Sequence, residues 1–190
     1  MALHKLGKDP ESPVNNSPAV SLDPNRFGDL LKHCQRTAVH LEMRDGYMRS
    51  DQAFIDWKAG QRLDAATRWP EWFAIVTEAR SRGVSVRRAR IVSEPVSDYV
   101  QFEYEVTEGL NVAAGEDVRW LPRRGATDLA LPGNDFWVFD DQLLLVNHFD
   151  GDGEWTSPEQ TDDQNTVKLC ATAFEAVWDR ATPHSEYQPI

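Results

Sequence analysis

Five arginines, Arg80, Arg82, Arg87, Arg88 and Arg90, fall within eleven residues that contain no acid, and Arg119, Arg123 and Arg124 follow. A guanidinium fork matches the oxygens of a carboxylate or phosphate two at a time, so such a cluster is chemistry for holding an anion. On a strand, Arg88 and Arg90 share one face. The plainer expectation is that these cations pair with the chain's own surplus acids. The opposite cluster, Asp150 to Gln164, holds Asp150, Asp152, Glu154, Glu159, Asp162 and Asp163 without a base. Its opening faintly resembles a calcium loop. However, Trp155 stands where that loop needs glycine and Thr161 where it needs a bidentate glutamate, so a turn is expected.

Histidine offers less. His33 and His40 lie seven residues apart with no third ligand in view, and His148 has no nucleophile beside it. No phosphate-binding glycine loop, nucleophile elbow or metalloprotease motif occurs. No catalytic set, metal site or cofactor is therefore expected. The seven tryptophans are expected mostly in the core, with Trp120 and Trp137, beside Arg119 and Asp135, also able to line a pocket.

Across the 190 residues, acids outnumber bases 31 to 20, for a net charge of −11. That balance disfavours direct nucleic-acid binding, which needs a basic footprint, and docking on an anionic membrane. Cys34 and Cys170 are too few for a disulfide framework or a four-cysteine zinc site. No apolar run approaches the roughly 20 residues that span a bilayer, and the N-terminus lacks a secretory apolar stretch. A cytoplasmic location is the expectation.

The elements that must position these groups follow from periodicity. Residues 1–24, punctuated by Pro10, Pro13, Pro18 and Pro24, read as a disordered tail. One α/β domain is expected over 25–183, then a short tail over 184–190. Phe27, Leu30, Leu31, Cys34, Ala38 and Leu41 recur at helical spacing and predict a first helix. Helices are also expected from Ser50 to Ala59, capped by Ser50 or Asp51, and from Pro70 to Gly83. Strands are expected at Val84–Val92, Asp117–Leu121, Phe136–Phe139 and Leu143–Phe149, the last two forming a hairpin around Asp140. Residues 95–108 alternate at strand period, yet a Ser-Glu-Pro start and a terminal glycine favour a helix. A last helix, capped by Thr161 or Asp162, is expected to end before Pro183. The expected fold is thus a mixed sheet of about four strands with a helical N-terminal layer.

Several strings together resemble a known family. They are Glu42-Met-Arg-Asp-Gly-Tyr47, Arg68-Trp-Pro-Glu-Trp-Phe73, Arg87-Arg-Ala-Arg-Ile-Val-Ser-Glu-Pro95, Val118-Arg-Trp-Leu-Pro-Arg123 and Asn134-Asp-Phe-Trp-Val-Phe-Asp140. The family is an actinobacterial one catalogued as a domain of unknown function. Its members are often encoded beside helix-turn-helix regulators of sporulation and antibiotic production. The resemblance runs from about Arg26 to Pro183 and brings no catalytic residue with it. A weaker likeness, in element order, is to half of a phospholipase D-like domain, which has noncatalytic sensor versions. Enzymes of that superfamily use a His-x-Lys motif. Here the hairpin reads Asn147-His148-Phe149-Asp150, without the lysine.

The resemblance implies a regulatory or interaction module whose partner is a helix-turn-helix regulator. The alternative is an enzyme or sensor that binds a phosphorylated or nucleotide ligand, with Arg88, Arg90, Arg119 and His148 as its working groups. A small anionic ligand is expected beyond the carboxyl ends of the first two strands, held by Arg88, Arg90, Tyr99, Arg119 and Trp120. Trp137 and Asp140 would form its far wall. The rival for Arg88 and Arg90 is pairing with acids such as Glu94 or Asp98.

Overall fold

A computed structural model describes residues 26–47 and 50–190. The expected tail over residues 1–24 lies outside the described residues. The first helix expected from sequence is two elements. Helix α1, Arg26–His33, ends early, and Thr37–Glu42 is strand β1. Cys34, Ala38 and Leu41 match helical spacing by coincidence. Burial on both sides of the sheet decides the matter: Val39 and Leu41 face one layer, while Ala38, His40 and Glu42 face the other. Inward-facing His40 and Glu42 hid the apolar alternation by which a strand is normally read.

Asp51 caps α2, Gln52–Lys58, by accepting from the Ala53 N–H. The short α3, Ala65–Arg68, leads into α4, Pro70–Ser81, which has proline in its first turn as expected. Gly83, at φ 88°, then turns the chain into β2, Ser85–Val92. Helix α5, Asp98–Thr107, is capped by Ser97 rather than by the expected Ser93. It runs past Gly109 through a π-helical turn, Glu108–Val112, before β3, Asp117–Pro122. Strands β4, Asp135–Phe139, and β5, Leu143–Phe149, form the expected hairpin. Strand β6, Trp155–Thr161, occupies much of the acidic stretch expected to be a turn. Pro158 argues against a strand in a sheet interior but is tolerated on the edge strand that β6 is. The turn itself is formed by Asp150, whose Oδ1 accepts from the Asp152 and Glu154 N–H groups at 2.9 and 3.0 Å.

Asp163 caps α6, Gln164–Trp178, and Thr182–Pro183 closes the sheet as β7. Residues 184–190, expected as a tail, pack against the domain. Tyr187 is buried, and the Ile190 carbonyl accepts the Val96 N–H at 2.8 Å.

Among the described residues the sheet has seven strands, not about four, in the order β6-β5-β4-β1-β2-β3-β7. Strands β1, β2 and β3 are parallel, and β4, β5, β6 and β7 join antiparallel. One face carries Val39, Leu41, Ala89, Ile91, Phe136 and Leu144 and packs on α6 through Phe174 and Val177. The other face is covered in pieces: α1 and α4 over one part, α5 and the C-terminal segment over another. Among the described residues no helix is long and apolar enough to cross a membrane.

Asp140 and Asp141 turn the β4–β5 hairpin at φ 54° and 58°, a two-residue turn whose twist suits antiparallel strands. The Asp140 carboxylate accepts three backbone N–H groups, from Gln35 (2.8 Å), Arg36 (2.7 Å) and Thr37 (3.0 Å), and so holds the entry to β1. Burial would raise its pKa, but these bonds together hold it below the ordinary carboxylate range. Stability from this group is therefore present above its unfolded pKa and lost as pH falls through the lower folded value. Asp140→Asn tolerates the backbone conformation but loses the charge. It is expected to cost about 1–3 kcal/mol in urea unfolding at neutral pH, with the difference from wild type shrinking in acid.

Candidate functional site

Register sets the site. His40 of β1 lies opposite Arg88 of β2, and Glu42 opposite Arg90. All four side chains rise from the face covered in pieces. Glu42 takes one guanidinium on each oxygen, Arg88 on Oε1 and Arg90 on Oε2. Arg88 also donates from Nε to Glu116 at 2.9 Å, and Arg90 donates to the Thr107 hydroxyl at 2.6 Å. The π-helical turn brings Asn111 to Glu116 at 2.7 Å, and Trp72 donates its indole N–H to the same carboxylate oxygen at 2.9 Å. These are buried ions, with Arg88 7% and Arg90 5% exposed.

The environment sorts the acids. Burial alone would raise Glu42, but Arg90 and Arg88 hold it well below the ordinary range. Glu103, on α5, gets only a 3.7 Å approach from Arg90. Burial therefore wins over Arg90, and with help from the Glu42 charge it pushes Glu103 up to about 8. Burial likewise drives His40 well below its usual value, so its imidazole is neutral. His40 Nδ1 lies 3.3 Å from Glu42, but among the described residues neither ring nitrogen has a hydrogen-bond partner of adequate geometry. The ring is held by stacking on Trp137, with centroids 4.2 Å apart and planes 14° apart.

Above this floor is a cavity of about 480 Å³. Its floor is His40, Arg88, Arg90 and Trp137, with Leu145 and Asn147 from β5. One wall is Phe27 of α1 and Trp69 and Trp72 at the start of α4. The opposite wall is Tyr99, Phe102, Glu103 and Val106 of α5, with Trp155 and Pro158 of β6 and Asp51 completing the lining. Aromatic contacts tie the first wall to the floor: Phe27 meets Trp72 at 5.1 Å and Trp137 at 4.8 Å. The Arg88 guanidinium lies 5.3 Å over Trp72 and 5.4 Å over Trp137. The size falls within the usual range for small-molecule sites, and the lining has their character: mostly aromatic, with a few convergent polar groups.

Of the residues singled out from sequence, Arg88, Arg90, Tyr99 and Trp137 come together here, on the sheet face rather than beyond the strand ends. The other three do not. Arg119 points to the opposite face, stacked 4.2 Å from the Trp178 ring and donating to the Trp178 carbonyl. Trp120 lies fully buried behind Arg90, its indole N–H on His184 at 3.1 Å. Asp140 is at the hairpin tip.

The arginines are held by the chain's own groups, though not by Glu94 or Asp98. Glu94 accepts the Tyr187 hydroxyl and Asp98 pairs with Lys58. Arg82 pairs with Glu78, Arg87 with Glu175 and Arg123 with Asp45. His148 sits 3.0 Å from Glu159 and does not line the cavity. Sequence reasoning missed His40, Glu42, Glu103 and Glu116. The one available signal was the pair of acidless arginines at strand spacing, which demands buried acids from elsewhere. Among the described residues no group of histidine, cysteine and acidic side chains is placed to hold a metal ion.

A family described as Domain of unknown function (DUF6879) matches residues 25–189. The chain belongs to this family. The family's span includes every strand and helix that builds the cavity, and also the C-terminal segment expected as a tail. Among curated proteins none matches. Solved structures give distant likenesses. TrmBL2, an archaeal chromatin protein described as showing a novel mode of DNA binding, is 14% identical at a TM-score of 0.45 over 83% of this chain. The chain covers 49% of the TrmBL2 chain, about half its length. Nuc from Salmonella typhimurium, a phospholipase D family member, is 8% identical at a TM-score of 0.47, over 83% of this chain and 88% of its own. At such scores neither likeness bears on function.

Two outcomes follow from the ion cluster. Glu42→Gln leaves two buried guanidiniums without their shared partner and is expected to cost about 3–5 kcal/mol in chemical denaturation. Glu103 works in the other direction. Its pKa rises from about 4.3 unfolded to about 8 folded. Between these values the native state holds the extra proton, so stability falls as pH rises through that window. Glu103→Gln is expected to flatten this slope and to exceed wild type in melting temperature at about pH 9.

Proposed function

We propose that this domain is a regulatory module that reads a small, mainly apolar molecule in the aromatic cavity and reports it to a protein partner. The observation that carries the ligand half is the preformed cavity itself, about 480 Å³ of space lined mostly by aromatic side chains with a few polar groups among them. Concave sites of this size, mostly apolar with a few convergent polar groups, are the usual form of a small-molecule site. The expectation of an anionic or nucleotide ligand rested on Arg88 and Arg90 being available, and Glu42, Glu116 and Glu103 already surround them. The partner half rests on the family resemblance and names a helix-turn-helix regulator.

Val106 is half-buried on α5 and lines the cavity. Val106→Trp fills the space from a position that does not belong to the ion cluster. Thermal shift against a library of small molecules is expected to find stabilising compounds for wild type. Val106→Trp should keep the wild-type melting temperature to within a few degrees and lose at least about 90% of the shift. A tryptophan variant that binds the same compounds equally well would remove the cavity from consideration. Co-purification of the full chain with a neighbouring helix-turn-helix regulator, with and without such a compound, tests the partner.

A further inference from the structure

Charge decides what the cavity accepts. Arg88 and Arg90 are answered by Glu42 and Glu116, each guanidinium making direct bonds to carboxylate oxygens. Glu103 is the acid left over. Its carboxyl lines the cavity, is buried, and among the described residues accepts no hydrogen bond, having only the 3.7 Å approach of Arg90. Phe102, on the same helix, and Trp69, from the facing wall, add aromatic surface to the same lining, with ring centroids 6.4 Å apart. Asp51 adds a second acid to the lining. Aromatic faces attract cations through the ring quadrupole, and a carboxylate in low dielectric adds a counter-charge. An anion placed here would meet a surplus of acid, and a wholly apolar molecule would leave the Glu103 carboxyl without a partner.

Resting on the ligand-binding reading above, we propose that the cavity is a site for an organic cation, a protonated or quaternary amine carried on an apolar body, with Glu103 as its counter-ion. The amine's charged head sits against Glu103 and the aromatic rings, and its apolar body fills the space toward Leu145 and Val106. Binding drives Glu103 to the carboxylate, so one proton leaves to solvent as the cation enters. The groups that face Glu103 are Arg88 and Arg90 from β2, Glu42 from β1, Asp135 from β4, Tyr99 from its own helix and Tyr47 from the loop after β1. Of these, Asp135 titrates lowest in the relevant range, raised by burial to about 6, and Tyr99 is raised by burial above the ordinary tyrosine value. Glu103 is thus the group that changes charge between neutral and mildly alkaline pH.

Three probes of one shape and different charge test this in the full chain: benzyltrimethylammonium, its carbon isostere neopentylbenzene, and benzylphosphonate. Binding is read by tryptophan fluorescence, since Trp69, Trp72, Trp137 and Trp155 line the cavity. The cation is expected to bind at least about tenfold tighter than the isostere near pH 9, with benzylphosphonate weakest. The preference should shrink by about tenfold on going to pH 6.5, as Glu103 takes its proton. In Glu103→Gln the cation's advantage and its pH dependence should both vanish, while the isostere binds as in wild type. Equal binding of cation and isostere, or a cation preference untouched in Glu103→Gln, would overturn the proposal and leave the cavity as a site for neutral molecules. Tightest binding of benzylphosphonate would overturn it in favour of an anion. If none of the three binds while library compounds shift the wild-type melting temperature and not that of Val106→Trp, the cation class is wrong and the ligand-binding reading stands. If nothing binds in either experiment, both fall.

Discussion

Glu42 shares its two carboxylate oxygens between Arg88 and Arg90, and all three groups lie out of water. Stripping such ions of solvent costs several kcal/mol each, which is recovered only if every remaining donor and acceptor is met. That requirement recruits distant parts of the chain. Glu116 comes from the approach to β3, Asn111 from the π-helical turn, Thr107 from the end of α5 and Trp72 from the start of α4. The parallel pairing of β1 with β2 sets the registers His40–Arg88 and Glu42–Arg90, and without them none of these contacts could form. The covering helices are thereby located by polar geometry as well as by apolar burial.

The two faces of the sheet divide the work. Beneath α6 the packing is apolar, with Ile91, Phe136, Leu144 and Phe174 all buried. Such a face contributes stability in proportion to area and needs no special partner. On the other face the strip of ions runs through the middle of the sheet. A helix lying directly on it would bring apolar side chains against charged groups and leave their remaining N–H donors unmet. The covering helices instead flank the strip, α1 and α4 on one side and α5 on the other, and turn aromatic side chains toward the gap. The cavity is the consequence: its floor is polar because the ions are there, and its walls are aromatic because the flanking helices must bury that surface.

Aromatic stacking then makes the walls stiff. Phe27, Trp72, Trp137 and His40 form a connected stack from α1 across to the centre of the sheet. Phe54, Tyr99 and Phe102 form a second group, joining α2 to α5. A preformed site of this kind loses little conformational entropy when it is filled, which favours binding. The neutral imidazole of His40 belongs to the first stack and is held in place by rings, whereas the buried carboxyl of Glu103 meets the 3.7 Å approach of Arg90.

Local chemistry written in the chain was enough for much of the fold. Proline at the start of α4, positive-φ Gly83 after it, the β-branched run of β2 and the aspartates of the hairpin turn each act within a few residues, so their outcomes were legible in order along the sequence. It was also enough to single out Arg88, Arg90, Tyr99 and Trp137, four residues that line one cavity. Tertiary structure alone decided the rest. Strand β1 was hidden because His40 and Glu42 face inward, and a buried carboxylate is stable only opposite arginines 46 and 48 residues away. Strand β6 was hidden because the same Pro158 is forbidden in a sheet interior and tolerated at an edge, and edge position is a property of the whole sheet. Whether the arginines were open to an anion depended on Glu103 and Glu116 arriving from the β2–β3 crossover. Electrostatic partners chosen across such separations leave no periodic trace in sequence, and here they set both the strand order around Glu42 and the charge of the cavity.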